Sequence, residues 1–498
     1  MVIFIIFLFS PCLSLDLPQG SLQSYYSSSE LKTLIDSLTS SYPDLVKPNE
    51  KIKGFTIDMP QNSHLKKQRV LIIGGFSGGF PQNNYQVVYT AFNLLKNYKT
   101  DPISMKILSS LTIDFAPNIN PKAYSLSEYH HLKTGEFYAF FKDQSNNTES
   151  CKTEQDLGIN PEKNFYSNFE IISNLCEQDY AGSEPGTSEV IKDWIDSIGD
   201  YSLIINYQGA GEFYEFPLGV TESNPNKYSI FYKEVRKDIE NSGGLIRLNN
   251  ANLNTKNESG LLNTALEYFN VIAIKIALSS KIPQDLASQS LLASLHYNFL
   301  TDSILTHLTT LPIQFLSLNL RPQGFLSTPV IDLKLLMKNN GLNSIQYQIE
   351  LLETYHMPSN NYKLIGLMIQ SHVASGNSTT KHFNNLNIDE RIEPGSYSTI
   401  TFSFEQINKI AFENVEFGIG FVPLDYYVEY QSWSSIFYLN GGEVQEWGKR
   451  KLDYDNQESS SSSGSSVSVT IVIAGSASGG GACCICICIC AYFMKKED

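Results

Sequence analysis

Apolar positions recur along the chain at two different spacings. Leu31, Leu34, Ile35 and Leu38 fall at helical period behind Ser27-Ser-Ser-Glu30, a capping-box arrangement, and predict a helix. Val87, Val88, Ala91, Leu94 and Leu95 mark a second helix, Glu189–Ile198 a third, and Leu291, Leu292, Leu295 and Phe299 one face of a fourth. Short apolar runs at Lys53–Met59, Val70–Ile73, Leu111–Phe115, Leu203–Ile205 and Val271–Leu278 read as strands, the last a buried one. Helices alternating with apolar strands predict an α/β domain over 15–305, a mixed sheet with helices on both faces. From about 310 helical periodicity gives way to strand-like segments, among them Ile345–Leu352, Lys363–Gln370, Tyr397–Phe404 and Glu416–Phe421. These predict a separate β-sandwich over 310–450.

The two ends have a different pattern. Residues 2–9 are an unbroken apolar run, too short to span a bilayer, followed by Cys12 and Ser14 at signal-peptidase spacing. Residues 1–14 are expected to be a signal peptide, with a short membrane anchor as the alternative. A Ser-rich linker occupies 451–466, and 467–494 carries no charged residue, so a transmembrane helix is expected there. Residues 495–498 then form a cytoplasmic tail, and Lys495 and Lys496 fit the positive-inside rule for a single-pass type I protein. The same pair resembles a dilysine signal for return to the endoplasmic reticulum; orientation alone is the other reading, with the ectodomain extracellular or lumenal either way.

Composition narrows the classes of partner. The formal net charge is −15, from 36 Lys+Arg against 51 Asp+Glu. That balance argues against nucleic acid, because binders of a phosphate backbone present basic stripes. Of the eight cysteines, only Cys151 and Cys176 fall in the body between the two ends, where an oxidising compartment would join them. The cysteines of 483–490 read as acylation sites or as apolar filler. Asn146, Asn257 and Asn377 head glycosylation sequons. None of the eight His residues heads a His-x-x-Glu or His-x-x-His, and His130-His131 reads as a surface loop pair.

Several segments, in order, resemble the zinc metallocarboxypeptidases of the carboxypeptidase A and carboxypeptidase E/D/M type. Residues 111–121 are similar to that family's strand ending in Pro-x-x-Asn-Pro, and 158–165, Gly-Ile-Asn-Pro-Glu-Lys-Asn-Phe, to its Gly-Val-Asp-Leu-Asn-Arg-Asn-Phe. Residues 176–189 are similar to its Cys-x-x-x-Tyr-x-Gly … Ser-Glu run, and Cys151 and Cys176 flank the substrate loop as a family disulfide does. The resemblance implies a carboxypeptidase-like fold and, in the family, a zinc-bound water held by two His and one Glu, with a further Glu as base.

Those residues are substituted in this chain. The ligand positions fall on Ser77, Phe80 and Gln208, and the catalytic Glu position on Ala277. The Asn-Arg pair that grips a substrate carboxylate falls on Glu162 and Lys163; Lys142 and Tyr268 are further cleft candidates. A phenyl ring has no donor atom, and hydroxyl and amide oxygens are poor zinc ligands beside imidazole. The expected reading is a membrane-anchored pseudoenzyme with a peptide- or protein-binding ectodomain and no cofactor. An active zinc metallocarboxypeptidase and a structural surface protein are the alternatives.

Overall fold

The computed structural model describes residues 17–60, 67–143, 158–170, 176–177, 180–209, 211–224, 227–248, 260–279, 281–309, 313–323, 330–352, 362–372, 378–383, 390–406, 415–424, 431–440 and 443–450. Helix α1 spans Ser28–Ser41, and its start follows from the sequence: the Ser27 side chain accepts from Glu30 N while the Glu30 carboxylate takes Ser27 N at 2.7 Å. Strands β1 (Val46–Asn49), β2 (Gly54–Ile57) and β3 (Gln68–Gly74) precede α2 (Pro81–Asn97) and α3 (Pro102–Ser110). Then come β4 (Leu111–Ala116), α4 (Pro121–Thr134), β5 (Leu203–Tyr207), β6 (Phe213–Glu215), α5 (Ile230–Asn241), α6 (Gly260–Phe269), β7 (Ile272–Ala277) and α7 (Leu286–Phe299).

These strands form one mixed sheet in the order β1-β2-β4-β3-β5-β7-β6. Its centre, β4-β3-β5-β7, is parallel, and β1, β2 and β6 are antiparallel additions at the edges. Burial on both faces accounts for the continuous apolar runs. Val70 and Ile72 of β3 join Leu203, Ile205, Ile274 and Ile276 in one core. Leu71 and Ile73 join Ile204, Ala273, Phe165, Trp194 and Leu261 on the opposite face. The two-residue period of a strand thus assigns each residue of β5 and β7 to a known face.

Strands β8 (Ile313–Gln323), β9 (Val330–Asn339), β10 (Ile345–Leu352), β11 (Tyr362–His372), β12 (Ser378–Phe383), β13 (Glu390–Ile392), β14 (Tyr397–Gln406), β15 (Val415–Pro423), β16 (Gln431–Asn440) and β17 (Glu443–Arg450) follow. They pair into two five-stranded antiparallel sheets, β12-β11-β14-β9-β8 and β13-β10-β15-β16-β17. Among the described residues no helix is long and apolar enough to cross a membrane. The expected signal at 1–14, linker at 451–466, span at 467–494 and tail at 495–498 lie outside the described residues.

Three local expectations need correction. The predicted helix at 189–198 is instead a series of turns ending in a 3₁₀ segment, Ile195–Asp200. The Trp194 indole N–H takes the Val190 carbonyl at 2.8 Å, the acceptor an α-helix would give to the Trp194 amide, and that amide turns to Ile191. On α7 the buried face is Gln289, Ala293 and His296, while Leu291 is 74% exposed. Gln289 reaches Ser24 O and His296 pairs with Tyr214, while Leu292 and Phe299 of the expected apolar face pack partly buried against the core, so both hydrogen bonds and apolar contacts orient this helix. His130 and His131 are helical, on α4; His131 is buried and stacks on Phe137 at 4.0 Å.

Candidate functional site

Ligand sites in open α/β sheets lie beyond the carboxyl ends of the parallel strands. Here β3 ends at Gly74 and runs into the loop 75–80, which holds Ser77 and Phe80. This loop is closed down by the chain that follows α4. Gly78 N donates to Phe140 O at 3.0 Å, and a Cβ on Gly79 would lie 2.4 Å from Ala139 Cα. Asn120 Nδ2 joins Phe76 O and Lys142 O from below. Two adjacent glycines are what allow backbone to meet backbone so closely. Ser77 is buried, with its hydroxyl 3.4 Å from Gly79 N, and Phe80 caps α2 with no side-chain hydrogen bond. Lys142 is buried as well, tied into this segment through its carbonyl.

A second cluster lies at the ends of β5, β7 and β6. Asn206, Lys275 and Glu215 stand in register across the three strands and share the face that carries Ile204 and Ala273. Lys275 Nζ is 3.4 Å from Glu215 Oε2, and both side chains are almost wholly buried. Asn206 Nδ2 donates to Gln208 Oε1 at 2.7 Å, which leaves the Gln208 amide nitrogen to face Glu162.

Glu162 enters from a 3₁₀ turn, Pro161–Lys163, whose start is fixed by the Asn160 side chain accepting from Glu162 N. The turn is held by Asn164, which donates to Glu184 O and accepts from Ser188 N, and by Asp143, which accepts from Ile159 N and Glu189 N. Helix α6 begins against it: a Cβ on Gly260 would meet Glu162 O at 2.2 Å. Both Glu162 carboxylate oxygens are buried, and neither makes a hydrogen bond of ordinary geometry. Burial pushes this carboxyl up to about 7. Lys275, the Gln208 amide and the Gly260 N–H oppose that rise, and the Glu215 charge adds to it.

Of the residues expected from the sequence, the structure brings Glu162 and Gln208 together. Ala277 closes β7 on the same face as Lys275, two residues on, against Phe213 of β6. Lys163 is half-buried beside Glu162 in sequence. Tyr268 is 59% exposed on α6 and packs on the Tyr166 ring at 5.3 Å. Cys176 is disulfide-bonded; Cys151, Asn146, Asn257 and Asn377 lie outside the described residues. Sequence reasoning missed Asn206, Glu215 and Lys275. The one available signal was a lysine inside the otherwise apolar Val271–Leu278.

The donor set does not fit zinc at the positions the resemblance assigns to its ligands. Phe80 has no donor, the Ser77 hydroxyl sits on a backbone amide, and the Gln208 oxygen is occupied by Asn206. Among the described residues no group of three or more His, Cys, Asp and Glu side chains is placed to hold a metal ion.

Comparison with known proteins bears on the frame that carries this cluster. Mouse (Mus musculus) carboxypeptidase A4 is 22% identical over 200 residues, 38% of this chain and 45% of that protein. Rat (Rattus norvegicus) carboxypeptidase A2 is 24% identical over 220 residues, 42% of this chain and 50% of that protein. The chain thus spans half or less of the length of these curated relatives. Among solved structures, thrombin activatable fibrinolysis inhibitor (TAFI) superposes with a TM-score of 0.47 at 15% identity, covering 59% of this chain and 77% of that one. The zinc carboxypeptidase family matches residues 31–265. That stretch holds the parallel strands β3, β4 and β5, the 75–80 loop and the Glu162 turn. Residues 31–265, just under half of the chain, are thus similar to the zinc carboxypeptidase family.

Proposed function

We propose that this chain is a membrane-anchored carboxypeptidase-like protein that binds a peptide or protein segment without hydrolysing it. The observation that carries the reading is the donor chemistry at the 75–80 loop and Gln208: a phenyl ring, a hydroxyl on a backbone amide, and an amide oxygen held by Asn206. Ala277, at the position of the family's base, can take no proton. The retained turn around Asn160, Glu162 and Asn164 supports a cleft whose shape outlasts the chemistry. The family match favours a second reading, an active zinc metallocarboxypeptidase releasing C-terminal residues.

One experiment separates the two. The purified chain is expected to hold no stoichiometric zinc and to leave peptide reporters ending in Lys, Arg or Phe uncleaved. Stoichiometric zinc with turnover abolished by EDTA establishes the second reading.

The remaining organisation belongs to the same proposal. The two antiparallel sheets of 313–450 are read as the layers of a β-sandwich, supported by buried Leu335, Met337 and Phe402 on one sheet and Ile345 and Tyr347 on the other. Residues 467–494 are read as a single span with type I orientation, supported by their lack of charge and by Lys495 and Lys496 beyond them. Cys151 is the proposed partner of Cys176, and Asn146, Asn257 and Asn377 are proposed glycan sites.

A further inference from the structure

A cavity opens at the amino ends of the parallel strands, at the opposite end of the sheet from the 75–80 loop. Strand β3 starts at the cavity with Gln68 and reaches the loop after Gly74, about 20 Å away at the usual strand rise. The cavity measures about 110 Å³. A single water needs roughly 10–15 Å³ of such space, so a small organic molecule has room. Its apolar walls are Phe231 of α5, Ile272 of β7, Leu308 beyond α7 and Leu342 in the turn after β9. The α/β sheet and the first turn of the antiparallel sheets therefore line one space.

Two side-chain acceptors line the same space. Gln68 is 7% exposed and its Nε2 donates to Leu308 O at 3.0 Å, which leaves Oε1 to accept from an occupant. Glu234 is half-buried on α5, three residues beyond Phe231 and so on the same face. Asp238, one turn further on, is taken by His307 at 2.7 Å, whereas Glu234 has no ion pair or hydrogen bond among the described residues. The start of α5 offers little to an anion, because Ile230 N donates to Asn340 O and Tyr232 N to Ser229 Oγ. We propose that this cavity binds a small organic cation, an ammonium group on an apolar body. Glu234 is its counter-ion, Gln68 Oε1 a second acceptor, and Phe231, Ile272, Leu308 and Leu342 enclose the apolar part. The site is independent of the peptide-cleft reading, which concerns the other end of the sheet.

The test uses the full-length chain in detergent micelles at neutral pH, with three probes of one shape and different charge: benzylammonium chloride, benzyl alcohol and sodium benzoate. Dissociation constants are read from the chemical shifts of the chain's own methyl groups, which exclude probe dissolved in the micelle. Benzylammonium is expected to bind roughly tenfold tighter than benzyl alcohol, because only its head forms a charge-assisted hydrogen bond with a carboxylate. Benzoate is expected to bind weakest. In Glu234→Gln the advantage of benzylammonium over benzyl alcohol is expected to vanish while benzyl alcohol binds as before. Leu342→Trp, which fills the cavity, is expected to abolish binding of both. If Leu342→Trp does not fold, Overhauser contacts from the benzyl ring to the Leu308 and Leu342 methyl groups of the wild-type chain locate the probe instead. Benzoate or benzyl alcohol binding as tightly as benzylammonium overturns the proposal. So does an ammonium advantage that survives Glu234→Gln, binding that survives Leu342→Trp, or no binding of benzylammonium at all.

Discussion

At the scale of single residues, Glu162 and His296 are buried ionisable groups whose titrations act on stability in opposite directions. Burial holds the Glu162 carboxyl neutral to about 7, well above its ordinary 4.5. Its contribution is therefore full below pH 4.5 and is lost as pH rises through 7. Burial also depresses the His296 imidazole, paired with the Tyr214 hydroxyl at 3.0 Å, from 6.5 to about 4, with the Leu278 carbonyl opposing. Its contribution is full above pH 6.5 and is lost as pH falls toward 4. Each shift corresponds to roughly 3 kcal/mol, so between pH 5 and 6.5 the two slopes nearly cancel. Urea midpoints measured across pH 5–7 should show this. Glu162→Gln should give a variant that grows more stable as pH rises, and His296→Gln one that grows less stable. Identical pH profiles for wild type and Glu162→Gln would refute the buried-carboxylate assignment.

At the scale of elements, the loop between β3 and α2 accepts another piece of backbone against it. Gly78 and Gly79 face Ala123 O and Ala139 Cα with no room for a Cβ. Gly79→Ala must push the 137–143 segment away, and a loss of about 2–3 kcal/mol is expected, the usual cost of overpacking. Gly135 offers a contrast. It ends α4 at φ +78° with open space around it, so Gly135→Ala carries only backbone strain, about 1 kcal/mol. Denaturant midpoints that rank the two variants in the reverse order would mean that 75–80 and 137–143 are not packed against one another. In residues 190–200 the indole hydrogen bond to Val190 accompanies turns and a 3₁₀ segment where apolar spacing alone predicted a helix.

At the scale of the whole molecule, the described residues between 17 and 450 form one compact unit although the chain changes from α/β to antiparallel β within it. The join is specific. Ile230 N at the start of α5 donates to Asn340 O in the turn after β9. Buried Asn339 fixes that turn, donating to Asn343 O and Ile392 O and accepting from Gly341 N. A single calorimetric transition is expected. Asn339→Ala, which strips these bonds, should lower its midpoint by an amount equivalent to about 2–4 kcal/mol. Two wild-type transitions, with Asn339→Ala moving only one, would show that the sheets of 313–450 unfold on their own.

The central strands and α1 were legible in the sequence for a local reason. A strand buried on both faces must be apolar throughout, as in Val70–Ile73, and a capping box satisfies helix amides within four residues of chain. The ordered series of family-like segments likewise pointed to the zinc carboxypeptidase family, whose match covers residues 31–265. The sequence left open what faces Glu162. Lys275 is one charge in an apolar strand, and only the register of β5, β7 and β6 brings Asn206 and Glu215 beside it. The buried side of α7 was only partly in reach: Leu292 and Phe299 do pack against the core, but Leu291 is exposed, and the most buried positions are a glutamine, an alanine and a histidine that meet Ser24, α2 and Tyr214. Spacing along one segment reports which residues share a face. Which face is buried, and which charge answers which, depends on partners far away in the chain, and tertiary packing alone brings them together.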